Sequence, residues 1–318
     1  MGGGGRFVVQ NSKHINVGEK EQSAIMDETI GKAIATLREA GVDTPEHDVK
    51  LLLAEAAGCE LSDVDKAMLM GDPIDYDAER FGAMLARRAN REPLQYIVGH
   101  TPFRYLDLEV GPGVFIPRQE TELVAQEGID WITRNGLYNP RVVDLCAGSG
   151  AIGLSIVTEV PGSHVWGVEI NQQAAAWTRR NIAATMRRWP ALASNYELEI
   201  GDATNATTLA KLDGSIDMVI TNPPYVPQNN IPDQPEVRDH DPELALYGGS
   251  ADGTLIPERI IRRASRLLRA QGLFVMEHDI SQGDRLAAFA RINGFEQVHV
   301  RNDYTNRPRY LVAVKSAI

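Results

Sequence analysis

The period of apolar positions changes three times along the chain. Between residues 23 and 90 it is helical. Ile30, Ile34 and Leu37 precede Gly41; Val49, Leu52 and Leu53 lie between Pro45 and Gly58; Phe81, Met84 and Leu85 precede Arg87-Arg88. Spacings of three and four put such side chains on one face, and glycine just beyond them marks a stop. This predicts a small all-α domain. From Phe103 to Val110 the period drops to two, Gly111-Pro112-Gly113 supplies a turn, and Val114-Phe115-Ile116 follows. The pattern predicts a β-hairpin, read as a linker over 91–118. Pro117 with Glu120 and Glu122 then opens a helix, which Gly136 closes.

From 141 onward, short β-rich runs at 141–146, 164–169, 196–200, 216–221, 271–277, 295–301 and 309–315 alternate with helical stretches at 150–160, 172–188, 205–211, 255–269 and 282–292. Such alternation predicts an α/β domain with a doubly wound parallel sheet. No helix separates the last two strands, so the chain ends on a terminal antiparallel strand. Segment 226–253 is rich in turn residues and lacks period, as a lid or binding loop would. Residues 1–22 open Met-Gly-Gly-Gly-Gly and read as a flexible arm. The expected organisation is therefore an arm (1–22), a helical docking domain (23–90), a β-hairpin linker (91–118) and a sheet domain (119–318).

Composition narrows the partners. A chain of 318 residues with 43% apolar and 24% charged positions has room for two cores. No apolar run is long enough to cross a membrane, and no basic segment followed by an apolar one opens the chain. Cys59 and Cys146 make neither a disulfide framework nor a metal cluster. These features predict a cytoplasmic protein that needs no metal. A formal net charge of −11 argues against direct nucleic-acid binding, which needs a basic footprint.

Two stretches carry chemistry. Val142-Val143-Asp144-Leu145-Cys146-Ala147-Gly148-Ser149-Gly150 runs from a strand into a helix. Gly148 and Gly150 remove side chains where a ligand must approach the backbone. Asp144 is within reach of an ammonium or a bridging donor, and Glu169, ending the next strand, suits both hydroxyls of a ribose. Asp202, beside Ala203, ends the third strand, where an adenine amino group would lie. Gly148-Ser149-Gly150-Ala151-Ile152-Gly153 also satisfies a dinucleotide pattern, so this loop alone does not separate NAD from S-adenosylmethionine.

The second stretch is Asn222-Pro223-Pro224-Tyr225, after the apolar strand Ile216–Ile220. Two prolines cannot donate to a sheet ladder, so the strand stops there in a stiff corner at its carboxyl end. Asn222 Oδ1 and the Pro223 carbonyl are acceptors, each suited to one hydrogen of a planar NH2 group. Tyr225 is placed to cover the flat face of that group. Hydride transfer has no use for such a grip. Together with the antiparallel ending, it selects S-adenosylmethionine as the cofactor, with S-adenosylhomocysteine as product.

These residues resemble the N5-glutamine methyltransferases of peptide-chain release factors. The likeness spans about residues 90–315. It includes Pro93–Gly99, Phe115–Glu122, the glycine loop, Asn222–Tyr225, Glu236-Val237-Arg238, Pro242–Leu246, Gly248-Gly249, Glu277-His278 and Arg301–Tyr304. It implies a class I methyltransferase domain (Rossmann-like) over 119–318, and a class 1 release factor as partner, methylated on the glutamine of its Gly-Gly-Gln motif. It assigns Cys146–Gly150, Glu169, Asp202, Ala203 and Asn222 to the cofactor and Asn222, Pro223, Pro224 and Tyr225 to the glutamine amide. Cys146-Ala147 stand where the family often has Gly-Thr, which implies that this position needs no positive φ here. Gln119 stands where proline is usual.

Other polar residues have structural readings. Arg118 and Glu120 are expected to brace the domain junction, His278 to be a buried structural histidine, Asp144 to organise the cofactor loop rather than act as a catalytic acid, and Phe103 to pack in the core or border the cofactor. Two other functions fit parts of the pattern. An amino-methyltransferase acting on a flipped adenine would use the same corner, but with a basic recognition surface. A non-catalytic adaptor would bind cofactor without turnover. The protein is expected to act as a monomer.

Overall fold

A computed structural model describes residues 17–317, with side chains from residue 25 onward. The chain divides into two units, Met1–Val98 and Gly99–Ile318. The first contains α1 (Val17–Glu39), α2 (Pro45–Ala57), α3 (Leu61–Met70), α4 (Ala78–Ala89) and α5 (Leu94–Val98). Leu37, Val49 and Leu52, at the helical spacings read from sequence, are wholly buried in one core, together with Val64 of α3. A buried ion pair, Arg88 Nε to Asp48 Oδ2 at 2.7 Å, ties α2 to α4. Two boundaries differ from expectation. Residues 17–22, assigned to the arm, are helical, whereas 1–16 lie outside the described residues. The helical unit also runs on through α5 to Val98, into the segment assigned to the linker.

The second unit opens with a two-stranded hairpin, β1 (His100–Phe103) and β2 (Leu106–Glu109). Its turn is Arg104-Tyr105, with Arg104 at φ 54°, not Gly111-Pro112-Gly113. Arg104 holds that backbone by pairing with Glu159 at 2.6 Å and donating its own N–H to Glu122 at 3.0 Å. Gly111 serves a different purpose: a Cβ there would lie 2.5 Å from Trp177 Cζ2.

Then follow α6 (Glu120–Arg134), β3 (Arg141–Leu145), α7 (Ala151–Glu159), β4 (His164–Glu169), α8 (Gln172–Arg188), β5 (Tyr196–Ile200), β6 (Ile216–Thr221), α9 (Pro235–His240), α10 (Glu243–Leu246), α11 (Leu255–Leu267), β7 (Leu268–Glu277), α12 (Gly283–Ile292), β8 (Phe295–Asn302) and β9 (Pro308–Lys315). Seven strands form one sheet in the order β5-β4-β3-β6-β7-β9-β8. One apolar layer contains Val124, Ile132, Leu154 and Ile156 from α6 and α7. The other contains Ile260, Leu267, Leu286 and Ala290 from α11 and α12. With both faces covered, Val142, Val143, Val219 and Ile220 are fully buried, as central parallel strands require. This is the class I methyltransferase fold.

The antiparallel ending takes a specific form. β9 pairs antiparallel with both β7 and β8, so the last strand in sequence fills the gap inside the edge and β8 forms the edge. The helix expected at 205–211 is reduced to a 3-10 turn, Ala210–Leu212. There Asp202 Oδ1 accepts the Thr204 N–H and Asn205 Oδ1 the Thr207 N–H, so side chains compete with helical hydrogen bonds. Segment 226–253 carries the short helices α9 and α10.

Candidate active site

Strand order reverses between β3 and β6: β3 leads outward to β4 and β5, and β6 to β7 on the other side. The register pairs Leu145 with Thr221, so the loops after these strands, 146–150 and 222–225, lie side by side at the carboxyl edge. In open α/β sheets this reversal leaves a crevice. Here a cavity opens, lined by Cys146, Ala147, Gly148 and Ser149 from the first loop, and by Asn222, Pro224 and Tyr225 from the second. Glu169, Asp202 and Ala203 line it too. Thus most of the residues singled out in sequence converge on one site. Asp144, Gly150 and Pro223 are not among its lining side chains.

The first loop is shaped by its backbone. Cys146, Gly148 and Gly150 all have positive φ, at 64°, 57° and 86°. The expectation that Cys146 avoids this region is therefore wrong. The chain turns sharply after β3 while the Ala147 N–H donates to Val168 O at 2.8 Å. Burial, with the nearby Glu169 and Asp144 charges, pushes the Cys146 thiol far up, so no thiolate nucleophile forms there.

Asp144 does not line the cavity, so it makes no direct cofactor contact there; it takes instead the loop-organising place that was its other expected role. It is fully buried beneath the loop, where its Oδ2 accepts the Gly153 N–H at 3.0 Å. Its Oδ1 has no partner among the described residues. Burial pushes its carboxyl up to about 7, against the opposing Gly153 bond. Asp144 organises the loop and α7 from behind.

Glu169 Oε2 accepts the Gly148 N–H at 2.8 Å and Oε1 the Asn171 N–H at 2.7 Å. Burial raises its pKa, and these backbone donors oppose the rise. Each oxygen keeps a lone pair for a further donor. Asp202 Oδ1 is occupied by Thr204, through N–H and hydroxyl at 2.8 and 2.7 Å. Its Oδ2 has no partner among the described residues.

At the second loop, the Asn222 Nδ2 group donates to Thr121 Oγ1 at 3.1 Å. Neither Asn222 Oδ1 nor the Pro223 carbonyl accepts a hydrogen bond from a described residue. Tyr225 OH donates to Glu277 Oε1 at 2.8 Å, and Thr121 Oγ1 to Glu277 Oε2 at 2.7 Å. Gln282 Nε2 donates to the carbonyls of Tyr225 and Asp252, both at 2.8 Å, fixing the corner from below.

Sequence reasoning did not assign Thr121, Phe115, Asn171 or Thr204 to the site, yet all line the cavity. Thr121 and Phe115 belong to Phe115–Glu122, a run noted for its resemblance but given no role. Phe103 is core, 1% exposed and outside the cavity. Arg118 pairs with Asp241 of segment 226–253 at 2.6 Å, a contact inside the sheet unit and not at the junction where it was expected. His278 is fully buried, its Nδ1 2.8 Å from Asp279 O; its Nε2 has no partner among the described residues, and burial lowers its pKa.

Two family models match the chain: the PrmC N-terminal domain over residues 28–99 and the methyltransferase small domain over 129–234. A release factor glutamine methyltransferase of Bifidobacterium longum (strain NCC 2705) is 65% identical over 292 residues, 91% of this chain and 99% of the relative. Another, from Streptomyces coelicolor, is 41% identical over 289 residues, 90% of this chain and 97% of the relative. A 4-amino-L-phenylalanine/4-methylamino-L-phenylalanine methyltransferase of Streptomyces pristinaespiralis is 35% identical over 272 residues, 84% of this chain and 87% of that one. With this identity running through both the helical unit and the sheet unit, the chain belongs to the release factor glutamine methyltransferase family.

Proposed function

We propose that this enzyme transfers a methyl group from S-adenosylmethionine to the side-chain amide nitrogen of the Gly-Gly-Gln glutamine in a class 1 release factor, acting as a cytoplasmic monomer. The residues present fit the cofactor. Gly148 brings bare backbone to the cavity, Glu169 has lone pairs for a ribose diol, and Asp202 Oδ2 is open to an adenine amino group. When bound, the cofactor supplies a methyl group already activated by its sulfonium.

The chain's own task is to hold a poor nucleophile. An amide nitrogen has its lone pair delocalised into the carbonyl. Asn222 Oδ1 and the Pro223 carbonyl accept its two hydrogens, turn the nitrogen toward the methyl group, and favour pyramidal character as the new bond forms. The Tyr225 ring covers the amide plane. Orientation of this kind supplies several kcal/mol, on the order of the effective-molarity gains of intramolecular reactions. The methylated nitrogen is strongly acidic until it loses its proton, so a strong base is not required.

The observation that carries this reading is Asn222 at the cavity wall, its Nδ2 engaged by Thr121 and its Oδ1, like the Pro223 carbonyl, accepting no hydrogen bond from a described residue. The test is methyl transfer from labelled cofactor to purified release factor. Label should appear on wild-type substrate and vanish when the Gly-Gly-Gln glutamine is replaced. Asn222→Ala should cut kcat by roughly a hundredfold or more, with the fold intact. Adenine-containing DNA and free 4-aminophenylalanine serve as competing acceptors. Labelling of either in preference to the release factor overturns the substrate assignment, and cofactor binding without turnover on any acceptor favours an adaptor.

A further inference from the structure

The Asn222 amide has two ends of nearly equal size and opposite hydrogen-bonding sense, so the grip works only if the carbonyl end faces the substrate. Something must select that orientation. Thr121, in the first turn of α6, is the residue that Asn222 touches, and a hydroxyl both donates and accepts. Its behaviour is decided one step further back. Glu277 ends β7, and the β6–β7 register pairs Thr221 with Met276, which sets Glu277 beside Asn222. Glu277 is 2% exposed and does not line the cavity.

We propose that Glu277 is a positioning residue: its carboxylate takes the Thr121 hydroxyl hydrogen, leaves Thr121 Oγ1 able only to accept, and so turns the Asn222 NH2 inward and its carbonyl oxygen toward the substrate. The same carboxylate holds Tyr225 OH through its other oxygen, so one buried group aligns the acceptor and the aromatic cover together. An ionised carboxylate has no hydrogen to give, so the hydrogen-bond sense runs one way, from Asn222 through Thr121 to Glu277. A protonated Glu277 donates to Thr121 instead. The threonine hydrogen is then released toward Asn222 Oδ1, and the opposite amide orientation becomes available.

The surroundings make that proton sensitive to pH. Burial raises the Glu277 pKa and Glu120 adds to the rise, whereas the bonds from Thr121 and Tyr225 and the charge of Arg309 oppose it. Burial also lowers the pKa of His278, the next residue. Methyl transfer should therefore fall on the acid side as Glu277 takes up a proton.

The inference rests on the amide-grip reading above, and the experiment separates the two. Thr121→Val keeps the shape and removes the relay; Thr121→Ser keeps the hydroxyl. Thr121→Val should lower kcat by about tenfold or more, with KM for the release factor changing far less, and lose the acid limb of the kcat profile. Thr121→Ser should recover activity to within about threefold of wild type. In the Asn222→Ala background, Thr121→Val should cost nothing further, because the group it orients is gone. Cofactor affinity and thermal unfolding, measured on each variant, report whether the fold is intact. Near-wild-type kcat in Thr121→Val, an unchanged acid limb, or full additivity with Asn222→Ala overturns the inference. If Asn222→Ala itself turns over normally, the grip is what fails.

Discussion

The positive φ of Cys146 places a residue with a β-carbon where glycine fits at least cost. The left-handed region costs an L-residue about 1–2 kcal/mol, and the greater unfolded freedom of glycine offsets about 0.5–1 kcal/mol of any relief. Cys146→Gly should therefore stabilise the ligand-free protein by up to about 1 kcal/mol, whereas Cys146→Val, branched at Cβ, should destabilise it by at least that much. Urea midpoints of the three proteins check this; a Gly variant less stable than wild type contradicts it. The site's residue types were legible because glycine and proline advertise backbone constraints. A cysteine in the left-handed region carries no such mark, which is why its conformation was misjudged. Thr121 was missed for a related reason: a lone hydroxyl near a helix start carries no sign of the partner it meets across the fold.

The strand and helix that flank the loop are fitted to one another through Gly153. A Cβ there would lie 2.7 Å from Tyr196 Cε2 and 3.0 Å from Asp144 Oδ2, so glycine lets α7 close on the sheet and give its N–H to Asp144. Alternation along β3 explains why Asp144 faces α7. Val142, two residues earlier, belongs to the layer with α7, while Val143 and Leu145 belong to the opposite one. The sequence showed an acid at a strand's end but not its face, because an apolar run buried on both sides has no visible alternation. A consequence for pH follows. The Asp144 pKa rises from 3.8 to about 7 on folding, so the native state binds this proton more tightly than the unfolded chain. Its stabilising contribution is complete below about pH 4 and is lost as pH rises through about 7. Asp144→Asn removes that dependence. Between about pH 4 and pH 7, the window this shift defines, the variant should gain stability relative to wild type. Denaturant unfolding at the two ends, without cofactor, reads the difference, and a constant gap would refute it.

Across the whole molecule, two separate cores correspond to the two periods in the sequence. Leu37, Val49, Leu52 and Val64 belong to the helical core and none to the sheet layers. The cavity is lined only by residues from Gly113 to Ile256, within the second unit. The alternation of strands and helices made the sheet legible from 141 onward. The hairpin turn and the unit boundary were not, because Gly111-Pro112-Gly113 looked like a stronger turn than Arg104-Tyr105. A short helix at 94–98 also leaves too few residues for a period to register. If each unit folds on its own core, a fragment covering 99–318 should unfold cooperatively and bind S-adenosylmethionine within about threefold of the full chain. If the helical unit docks the release factor, methylation of the intact factor should fall much further, roughly a hundredfold in kcat/KM, through KM more than kcat. Calorimetry, cofactor titration and initial rates on the same fragment test each step. A fragment that methylates release factor as efficiently as the whole chain would show that the helical unit plays no part in recognising the substrate.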